Sequence, residues 1–310
     1  MQPIDFVGDI HGHASALRAL LDRLGYKYQA NQWTHPQDGR LVFLGDLIDR
    51  GPEQRETVDL VHALCDSGRA LCLMGNHEFN AVGFVTSRTD DPDRYVRSHT
   101  DGHIRQHQAF LDAYQHDSVG YQDTIAWFKT LPLWFEQPGV RAVHACWHAP
   151  AQALLAPYLD HRHAPTDLSF FTDSAIEHSA AWQARETLLN GLEMRLPEGS
   201  HFKDYYGIQR RRIRLNWWDP DQSTYRDSAV IDVTQRDRIP DLPLPSTAPS
   251  YHESLVFFGH YWMRGIPSIR HPRAVCLDYS VALPDGALCA YRYQGEIDAQ
   301  SDHLVWVSNS

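Results

Sequence analysis

Three short apolar segments in the first eighty residues each end at a glycine that is followed by an aspartate or an asparagine. Between them, residues 14–25 and 57–65 carry leucines and valines at helical spacing. Strands that alternate with helices in this way predict an α/β fold with parallel neighbouring strands. The segments and the dipeptides that end them are 4–7 with Gly8-Asp9, 41–44 with Gly45-Asp46, and 70–74 with Gly75-Asn76.

The position of these dipeptides is informative in itself. In open α/β sheets, ligands bind beyond the carboxyl ends of the strands. Glycine allows the backbone to turn sharply there and allows a ligand to approach closely. We therefore expect the polar residues after the three segments to lie together at one edge of the sheet and to form a functional site.

Composition excludes several classes of function. The chain has 39 acidic and 28 basic residues, a net charge of −11, which argues against duplex nucleic acid as a partner. No apolar run approaches the ~20 residues of a membrane helix, and the N-terminus lacks the pattern of a secretory signal. Five cysteines without a Cys-x-x-Cys pair favour reduced thiols and a cytoplasmic location.

The rest of the chain continues the mixed pattern up to residue 144 and resumes it after residue 254. Residues 151–250 carry no clear site motif, and we interpret this tract as a cap or insertion within a single domain that covers residues 1–310. We predict strands at 140–144, 255–258, 274–277 and 287–293, helices at 105–114, 124–131 and 175–192, and a surface loop at 86–102.

The predicted strand ends carry eight residues whose side chains bind metals or transfer protons. Imidazole, carboxylate and amide oxygen are the ligands expected for divalent ions such as Mn, Fe or Zn. The set is too large for one ion, and with one bridging carboxylate it suits two ions about 3.5–4 Å apart. The residues are Asp9, His11, Asp46, Asp49, Asn76, His77, His144 and His260.

The order of these motifs resembles the calcineurin-like metallophosphoesterase superfamily. The motifs are Asp-x-His at 9–11, Gly-Asp-x-x-Asp-Arg-Gly at 45–51 and Gly-Asn-His-Glu at 75–78, followed by His144 and Gly259-His260. The second and third resemble its phosphoprotein phosphatase branch, which includes bacterial and phage serine/threonine phosphatases and symmetrical diadenosine-tetraphosphatases. The resemblance implies a sandwich of two mixed β-sheets flanked by helices, with a helical insertion.

The resemblance also implies a ligand set for two divalent metal ions. Asp9, His11 and Asp46 are expected to hold the first ion. The second is expected to be held by Asp46 as the bridge together with Asn76, His144 and His260. A manganese pair is expected, with Fe, Zn, Ni or Co as alternatives. His148 competes with His144 for its position.

Three residues near the metals match the catalytic residues of the family. His77 matches the acid that protonates the leaving oxygen, Asp49 matches its carboxylate partner, and Arg50 matches a phosphate-binding arginine. The chemistry is consistent with these roles. Two cations make a bridging water acidic enough to supply hydroxide, a histidinium can donate a proton, and arginine binds phosphate oxygens in a bidentate fork.

Other substrate contacts remain open at the level of sequence. Besides Arg50 and Asn76, a second phosphate-binding arginine is expected, with Arg212 and Arg264 as candidates, although a solvated strand edge is the alternative for the basic run. Tryptophans in the same tract suggest either a base-stacking site or core packing, and packing is the more common outcome. The residues concerned are Arg210, Arg211, Arg212, Arg214, Arg264, Trp217, Trp218, Tyr261 and Trp262.

Three functions are compatible with these motifs. A metal-dependent serine/threonine phosphoprotein phosphatase is favoured by Asp49-Arg50 and by Gly-Asn-His-Glu. Hydrolysis of bis(5'-nucleosyl) tetraphosphates or related nucleotide polyphosphates is the alternative, and a non-catalytic binding module is the least favoured. A protein phosphatase is expected to have an open groove over the metals. A nucleotide hydrolase is expected to place an aromatic residue or an arginine from residues 151–264 near them.

Overall fold

The computed structural model describes residues 2–29, 32–203, 207–219, 221–231, 233–245 and 254–308. Its strands are β1 (Ile4–Val7), β2 (Lys27–Gln29), β3 (Gln32–Thr34), β4 (Arg40–Phe43), β5 (Ala70–Cys72), β6 (Trp134–Gln137), β7 (Val140–Val143), β8 (Glu193–Arg195), β9 (Phe202–Lys203), β10 (Gln209–Arg210), β11 (Arg212–Arg214), β12 (Leu255–Phe258), β13 (Ala274–Cys276), β14 (Asp278–Tyr279), β15 (Ala287–Tyr293) and β16 (Leu304–Ser308). Its helices are α1 (Ala14–Arg23), α2 (Gln54–Asp66), α3 (Asn76–Val85), α4 (Asp101–Tyr114), α5 (Ser118–Phe128), α6 (Ala149–Leu155), α7 (Ser169–Asp173), α8 (Ala180–Asn190) and α9 (Tyr225–Ser228).

Two mixed sheets form the centre of the fold. In the first, β1, β4 and β5 are parallel, while β15 runs antiparallel to β1 and also pairs with β14 and β16. In the second, β13, β12 and β7 are parallel and β6 is antiparallel. The predicted parallel core of β1, β4 and β5 is confirmed.

The sheets pack face to face through aromatic side chains. The rings of Phe6 in the first sheet and Phe257 in the second stack with centroids 4.3 Å apart. Tyr291 lies 4.7 Å from Phe257, and Phe135 lies 6.0 Å from Phe6. All but Phe135 are fully buried. Burial of such large rings contributes strongly to the core, and the sandwich of two mixed sheets expected from the resemblance is confirmed.

Capping residues determine where several helices begin, and they shift the predicted boundaries. The Thr100 side chain accepts the amide of His103, so α4 begins at Asp101 rather than at residue 105. The Asp117 side chain accepts the amide of Gly120 and starts α5 before the predicted residue 124. Ser179 similarly caps α8, which is therefore shorter than the predicted helix over 175–192. Single capping side chains outweigh hydrophobic spacing at these ends.

The tract predicted to be an insertion begins with helices and continues as two small hairpins. Helices α6, α7 and α8 come first, and then β8 pairs with β11 and β9 pairs with β10. These hairpins have a small apolar cluster of their own. It consists of Leu196, Phe202, Ile213, Leu215, Tyr225, Ala229 and Ile239. The predicted end of the tract at residue 250 lies outside the described residues, and its role as a cap stays a prediction.

Two compositional expectations can be compared with the structure. All five cysteines are free thiols, and four of them, including Cys146 beside the predicted site, are buried. No helix in the described part of the chain is long and apolar enough to cross a membrane.

Candidate metal centre

The predicted ligands converge where the strands of both sheets end. Asp9 follows β1 and Asp46 follows β4, while Asn76 is the first residue of α3 after β5. From the second sheet, His144 follows β7 and His260 follows β12. Apart from Asn76 each is almost fully buried, with at most 4% of its surface exposed. The sandwich thus brings together residues that are as many as 251 positions apart in sequence.

The turns that carry these residues have an unusual backbone. Six of the ten described non-glycine residues with positive φ lie here, with φ between 46° and 71°. Such conformations cost about 1–3 kcal/mol each and cluster at functional sites. The residues are His11, Asp46, Asp49, Arg50, His260 and Trp262.

Two of the strand-end glycines leave room for the carboxylates. A Cβ at Gly75 would overlap the backbone and carboxylate of Asp46, and a Cβ at Gly259 would overlap the carboxylate of Asp9. A larger residue at either position would displace a predicted metal ligand. This steric requirement explains why glycine precedes Asn76 and His260.

Two clusters of potential metal ligands share Asp46. The first is His11, Asp46 and His77, and the second is Asp46, His144 and His260, with the donor atoms of each cluster within 4.8 Å of one another. Nε2 of His11 lies 3.6 Å from Oδ2 of Asp46, and Nε2 of His144 lies 3.4 Å from Oδ1. A carboxylate shared in this way suits a bridge between two ions.

The hydrogen bonds around His144 test whether this centre fits a cation. Nδ1 of His144 lies 2.7 Å from the carbonyl oxygen of Leu44 and donates to it. Nε2 then has only a lone pair, yet it faces Oδ1 of Asn76 at 3.1 Å and Oδ1 of Asp46 at 3.4 Å. Three acceptor atoms pointing at one another repel unless a cation lies between them. The arrangement therefore fits a divalent metal.

His11 and His260 fit the same interpretation. Nδ1 of His11 lies 2.8 Å from the carbonyl of Ile48, and its buried Nε2 has no hydrogen-bond partner among the described residues. Burial above all lowers the pKa of both histidines well below its usual value, and neighbouring positive charges add to this. Both rings are consequently neutral, which is the form that binds metals.

Asp9 stands beside the two clusters and belongs to neither. One of its carboxylate oxygens lies 3.1 Å from the backbone amide of His260. Burial, then the charges of Asp278 and Asp46, raise its pKa well above the usual range. The buried carboxylates of Asp9, Asp46 and Asp278 repel one another, and divalent cations would relieve that repulsion. Its predicted role as a ligand stays a prediction.

His77 and Asp49 form a pair at the edge of the centre. Nδ1 of His77 lies 2.5 Å from Oδ2 of Asp49, and Nε2 lies 3.8 Å from Oδ2 of Asp46. Burial alone would raise the pKa of Asp49, but hydrogen bonds from His107 and His77 outweigh it and lower the pKa to about 2. Burial opposes the charged form of His77, but Asp46 and Asp49 raise its pKa overall. The geometry suits an acid held by a carboxylate.

Two residues of the site received no role from the sequence. Oε atoms of Glu78 accept the backbone amides of Asp46, Leu47 and Gly75 at 2.8–3.0 Å, which ties the bridging aspartate to α3. Nδ1 of His107 lies 2.8 Å from Oδ1 of Asp49. Glu78 stands in a quoted motif, so its importance was detectable. His107 lies in a predicted helix with no motif around it.

Arg50 is held by an aromatic side chain. Its guanidinium lies 3.9 Å from the ring centroid of Trp262, whose backbone amide donates to Asp278 at 2.8 Å. The neighbouring Tyr261 is buried and packs against Trp218 instead. The expected packing is therefore confirmed for Tyr261, whereas Trp262 is half-buried beside the predicted phosphate-binding arginine.

The tryptophan pair at residues 217 and 218 belongs to the core. Trp217 is completely buried and donates from Nε1 to the carbonyl of Ala145 at 3.1 Å. Trp218 is 5% exposed and packs against Phe258. Core packing, the favoured expectation for this pair, is confirmed, and neither ring presents a free face to a base.

The candidate arginines differ in their surroundings. Arg212 is exposed and lies 3.0 Å from Glu193, and Arg264 is exposed and lies 3.0 Å from Asp285. Arg214 is half-buried. Burial of His260 is the main cause of its lowered pKa, and the positive charge of Arg214 is the second cause. Arg214 is therefore close enough to His260 for its charge to act on that ring. Substrate binding by Arg212 or Arg264 stays a prediction.

His148, the alternative to His144, has another function in the structure. Its Nδ1 accepts the backbone amide of Ala151 at 3.2 Å and caps α6. His144, by contrast, directs Nε2 into the centre, while its Nδ1 is fixed by the carbonyl of Leu44. The structure thus brings His144 and not His148 together with Asp46 and Asn76.

Comparison with curated proteins finds bis(5'-nucleosyl)-tetraphosphatases of two kinds. An asymmetrical enzyme, PrpE of Halalkalibacterium halodurans, is 41% identical over 73 residues, which is 24% of this chain and 30% of that protein. The aligned segment thus spans less than a third of the relative. A symmetrical enzyme of Ralstonia nicotianae is 25% identical over 278 residues, which is 85% of this chain and 81% of that protein.

Among solved structures, a protein provisionally described as a diadenosine tetraphosphatase superposes with a TM-score of 0.50. It is 19% identical and covers 99% of this chain and 93% of its own. A mutant of a cold-active protein tyrosine phosphatase gives the same TM-score at 15% identity and covers 97% and 81%. At such identities the likeness concerns the fold alone.

The sequence profile of the calcineurin-like phosphoesterases matches residues 2–183. That range is more than half of the chain and contains the motifs that carry Asp9, Asp46, Asn76 and His144. The order of the motifs, the paired sheets and this match agree. The chain belongs to the calcineurin-like phosphoesterase family.

Proposed function

We propose that this protein is a hydrolase that uses two divalent metal ions to cleave dinucleoside polyphosphates. The observation that carries the catalytic part is the pair of ligand clusters that share Asp46. When bound, such ions activate a water molecule and neutralise charge on the phosphate oxygens. Asp9, His11, Asp46, Asn76, His144 and His260 would hold them, with manganese as the first metal to try. In the first cluster we assign the third ligand to Asp9 rather than to His77, because Asp49 engages Nδ1 of His77 and suits that ring to proton transfer.

Arg50 is proposed to bind the phosphate that is attacked. Its guanidinium offers parallel N–H donors that match two phosphate oxygens. The ring of Trp262 at 3.9 Å keeps the guanidinium in one orientation. An arginine held in this way loses less conformational entropy on binding than a free one.

His77 is proposed to act on the leaving oxygen. Asp49 accepts its Nδ1–H, so Nε2 is directed toward Asp46 and the space where the substrate would lie. A histidinium in this position can protonate an oxygen as the bond to phosphorus breaks. The negative charge of Asp49 stabilises that histidinium.

A nucleotide polyphosphate is favoured over a phosphoprotein by the residues near the metals. An aromatic residue or an arginine from residues 151–264 was expected there for a nucleotide hydrolase. Trp262 lies over Arg50, and the charge of Arg214 acts on His260. Relatives named as tetraphosphatases, symmetrical and asymmetrical, support the same substrate class.

A phosphoprotein phosphatase remains the second candidate because of one specific observation. The His77–Asp49 pair at 2.5 Å supplies a proton donor. A serine alkoxide is a poor leaving group and depends strongly on that proton, whereas a nucleotide phosphate depends on it less. A complete acid pair is therefore more useful for a phosphoserine substrate.

Turnover of two substrates by the same preparation tests the proposal. The protein is treated with a chelator, reloaded with Mn²⁺ and given diadenosine tetraphosphate and a phosphoserine peptide in parallel. We expect kcat/KM for the nucleotide to be at least about a hundredfold higher, since the two substrates differ in contacts that contribute about 2–3 kcal/mol. Products of ADP alone indicate symmetrical cleavage, whereas ATP with AMP indicates asymmetrical cleavage.

The opposite preference would make the phosphoprotein the substrate. Absence of turnover of both, in protein shown by metal analysis to be loaded, would contradict the proposed function. The Asp46→Asn variant serves as the control for contaminating phosphatases. Repeating the assay with Fe, Zn, Ni and Co tests the expected preference for manganese.

A further inference from the structure

We propose that His107 is a positioning residue that holds Asp49, and through it the acid His77, in the orientation needed to protonate the leaving group. This inference rests on the proposed function, because it assigns His107 a part in the same reaction. His107 lies on α4, twenty-nine positions beyond Glu78 of the last N-terminal motif.

The two oxygens of Asp49 are each taken by a different histidine. Oδ2 lies 2.5 Å from Nδ1 of His77, and Oδ1 lies 2.8 Å from Nδ1 of His107. The backbone amide of Asp49 in turn donates to Oε1 of Gln54 at 2.7 Å. With both oxygens engaged, the carboxylate cannot rotate without breaking a hydrogen bond to a buried, charged acceptor.

The surroundings of His107 are apolar and hold its ring in place. The ring stacks on Phe110 with centroids 4.9 Å apart and lies 5.3 Å from Phe84. His107 is 5% exposed and Asp49 is 3% exposed. Without His107, the buried Oδ1 of Asp49 would lose its donor, and a buried unpaired acceptor costs more than an average hydrogen bond contributes.

This geometry determines which nitrogen of His77 carries a proton. Asp49 accepts from Nδ1 of His77, so the ring keeps a hydrogen on that atom in both protonation states. The second hydrogen of the histidinium is then on Nε2, which faces the substrate and donates it to the leaving oxygen. If Asp49 turned toward another donor, the ring of His77 could rotate or change tautomer. Protonation of the leaving oxygen would then fail, while binding of the phosphate by Arg50 would continue.

Three variants separate positioning from simple packing. His107→Asn keeps an N–H donor near the place of Nδ1, because the asparagine amide nitrogen and Nδ1 are both attached to Cγ. His107→Leu fills a similar volume without a donor. His103→Leu is the matched control on the same helix, since His103 is half-exposed and bonds to Ser98 rather than to the site.

Activity is compared on p-nitrophenyl phosphate, which needs little protonation, and on an alkyl phosphate such as glycerol 2-phosphate, which needs much. General-acid catalysis contributes about 10²–10⁴-fold, so we expect His107→Leu to lose at least about tenfold more kcat/KM on the alkyl substrate than on the aryl one. His107→Asn and His103→Leu are expected to keep the wild-type ratio. Equal losses on both substrates, or equal ratios for the Asn and Leu variants, would overturn the proposal.

A second measurement does not depend on turnover. In the protein loaded with diamagnetic Zn²⁺, at a pH at which the His77 ring is neutral, ¹⁵N NMR of the imidazole rings is expected to show His77 with its hydrogen on Nδ1. In His107→Leu we expect a mixture of tautomers, and in His107→Asn the wild-type pattern. An unchanged His77 spectrum in His107→Leu would overturn the proposal. Inactivity of the wild type on every substrate would instead count against the proposed function alone.

Discussion

Two regions of the molecule are rich in charged residues but differ in burial and in backbone conformation. One consists of the turns after β1, β4, β5, β7 and β12, and the other consists of the hairpins of residues 193–214. In the turns the carboxylates of Asp9, Asp46 and Asp49 are at most 3% exposed. Asp46 and Asp49 have positive φ angles there, and only the neighbouring Arg50 reaches solvent among the charged residues of that turn. In the hairpins Arg210, Arg211 and Arg212 are exposed, and Arg212 pairs with Glu193 on the neighbouring strand.

The difference shows that burial, more than charge, separates a site from a surface. An exposed ion pair contributes about 0–1 kcal/mol, so the hairpin can lose one with little effect. A buried carboxylate must be compensated by a metal, a hydrogen bond or an opposite charge. The turns should therefore be sensitive to single substitutions to which the hairpins are not.

The largest effect is expected at the shared carboxylate. Asp46→Asn removes a charge that both ligand clusters use. A metal contributes several kcal/mol to catalysis, so we expect kcat/KM to fall at least about a thousandfold. Metal content measured by mass spectrometry should fall in parallel. Near-normal turnover with full metal content would remove Asp46 from the role of bridge.

His77→Asn should separate substrates by their leaving groups. Loss of the acid is expected to cost about a hundredfold or more in kcat/KM on an alkyl phosphate, because general acids contribute about 10²–10⁴-fold. An aryl phosphate leaves without a proton and should be affected much less. Rates on the two substrates at saturating metal give the ratio. If both fall equally, His77 is not the acid.

Asp49 should make the stability of the protein depend on acid pH. Its pKa in the folded protein is about 2, against 3.8 for an unperturbed aspartate, so its contribution is present above pH 4 and is lost as the pH falls through 2. The difference corresponds to about 2 kcal/mol. Between pH 5 and pH 2 the free energy of unfolding of metal-free wild type should therefore fall more than that of Asp49→Asn.

The control for this experiment is an aspartate at the surface. Asp285 is 71% exposed and pairs with Arg264, and Asp285→Asn should follow the wild-type profile. Parallel profiles for wild type and Asp49→Asn would show that the hydrogen bonds of Asp49 contribute nothing to stability.

Trp262→Ala should act mainly on substrate binding. The ring lies over the guanidinium of Arg50, and a cation–π contact contributes about 0.5–2 kcal/mol. We expect KM to rise about 2- to 30-fold with a smaller change in kcat, and Trp262→Phe to restore most of the loss. Trp218→Phe, in the core nearby, should lower stability and leave KM unchanged. An unchanged KM in Trp262→Ala would show that the contact between Trp262 and Arg50 does not contribute to substrate binding.

The smallest expected effect compares two arginines of one strand. Arg214→Gln should lower kcat/KM about 2- to 10-fold, because an average hydrogen bond contributes about 0.5–1.5 kcal/mol. Arg212→Gln should have no measurable effect, since its partner Glu193 is at the surface. Steady-state kinetics with diadenosine tetraphosphate provide the comparison. A larger loss at Arg212 would restore it as the second phosphate-binding residue.

The strands and the candidate metal ligands could largely be predicted, because each is determined by a short segment of the sequence. The strands at 4–7, 140–143 and 255–258 are apolar except for Asp5 and Arg141, so hydrophobicity located them. The ligands follow directly after those strands, so their positions followed from the strand ends. Helix boundaries were less accurate, because a capping side chain such as Thr100 decides them and hydrophobic spacing does not detect it.

His107 could not be predicted for a different reason. Its hydrogen bond joins α4 to a turn 58 positions earlier, and nothing near it in sequence marks that contact. The same holds for Trp262, whose neighbour Tyr261 has similar chemistry but is turned into the core. Which of two adjacent aromatic residues faces a site depends on the backbone turn between them.

The sequence by itself determined the kind of chemistry and the edge of the sheet where it occurs, because both depend on residue type and on strand ends, which are local. Only the tertiary structure decided which charged residues act together. It placed His107 on Asp49 and Trp262 on Arg50, and it left Arg212 exposed but Arg214 half-buried. The physical reason is that packing of distant elements, and not spacing along the chain, determines which side chains are buried together.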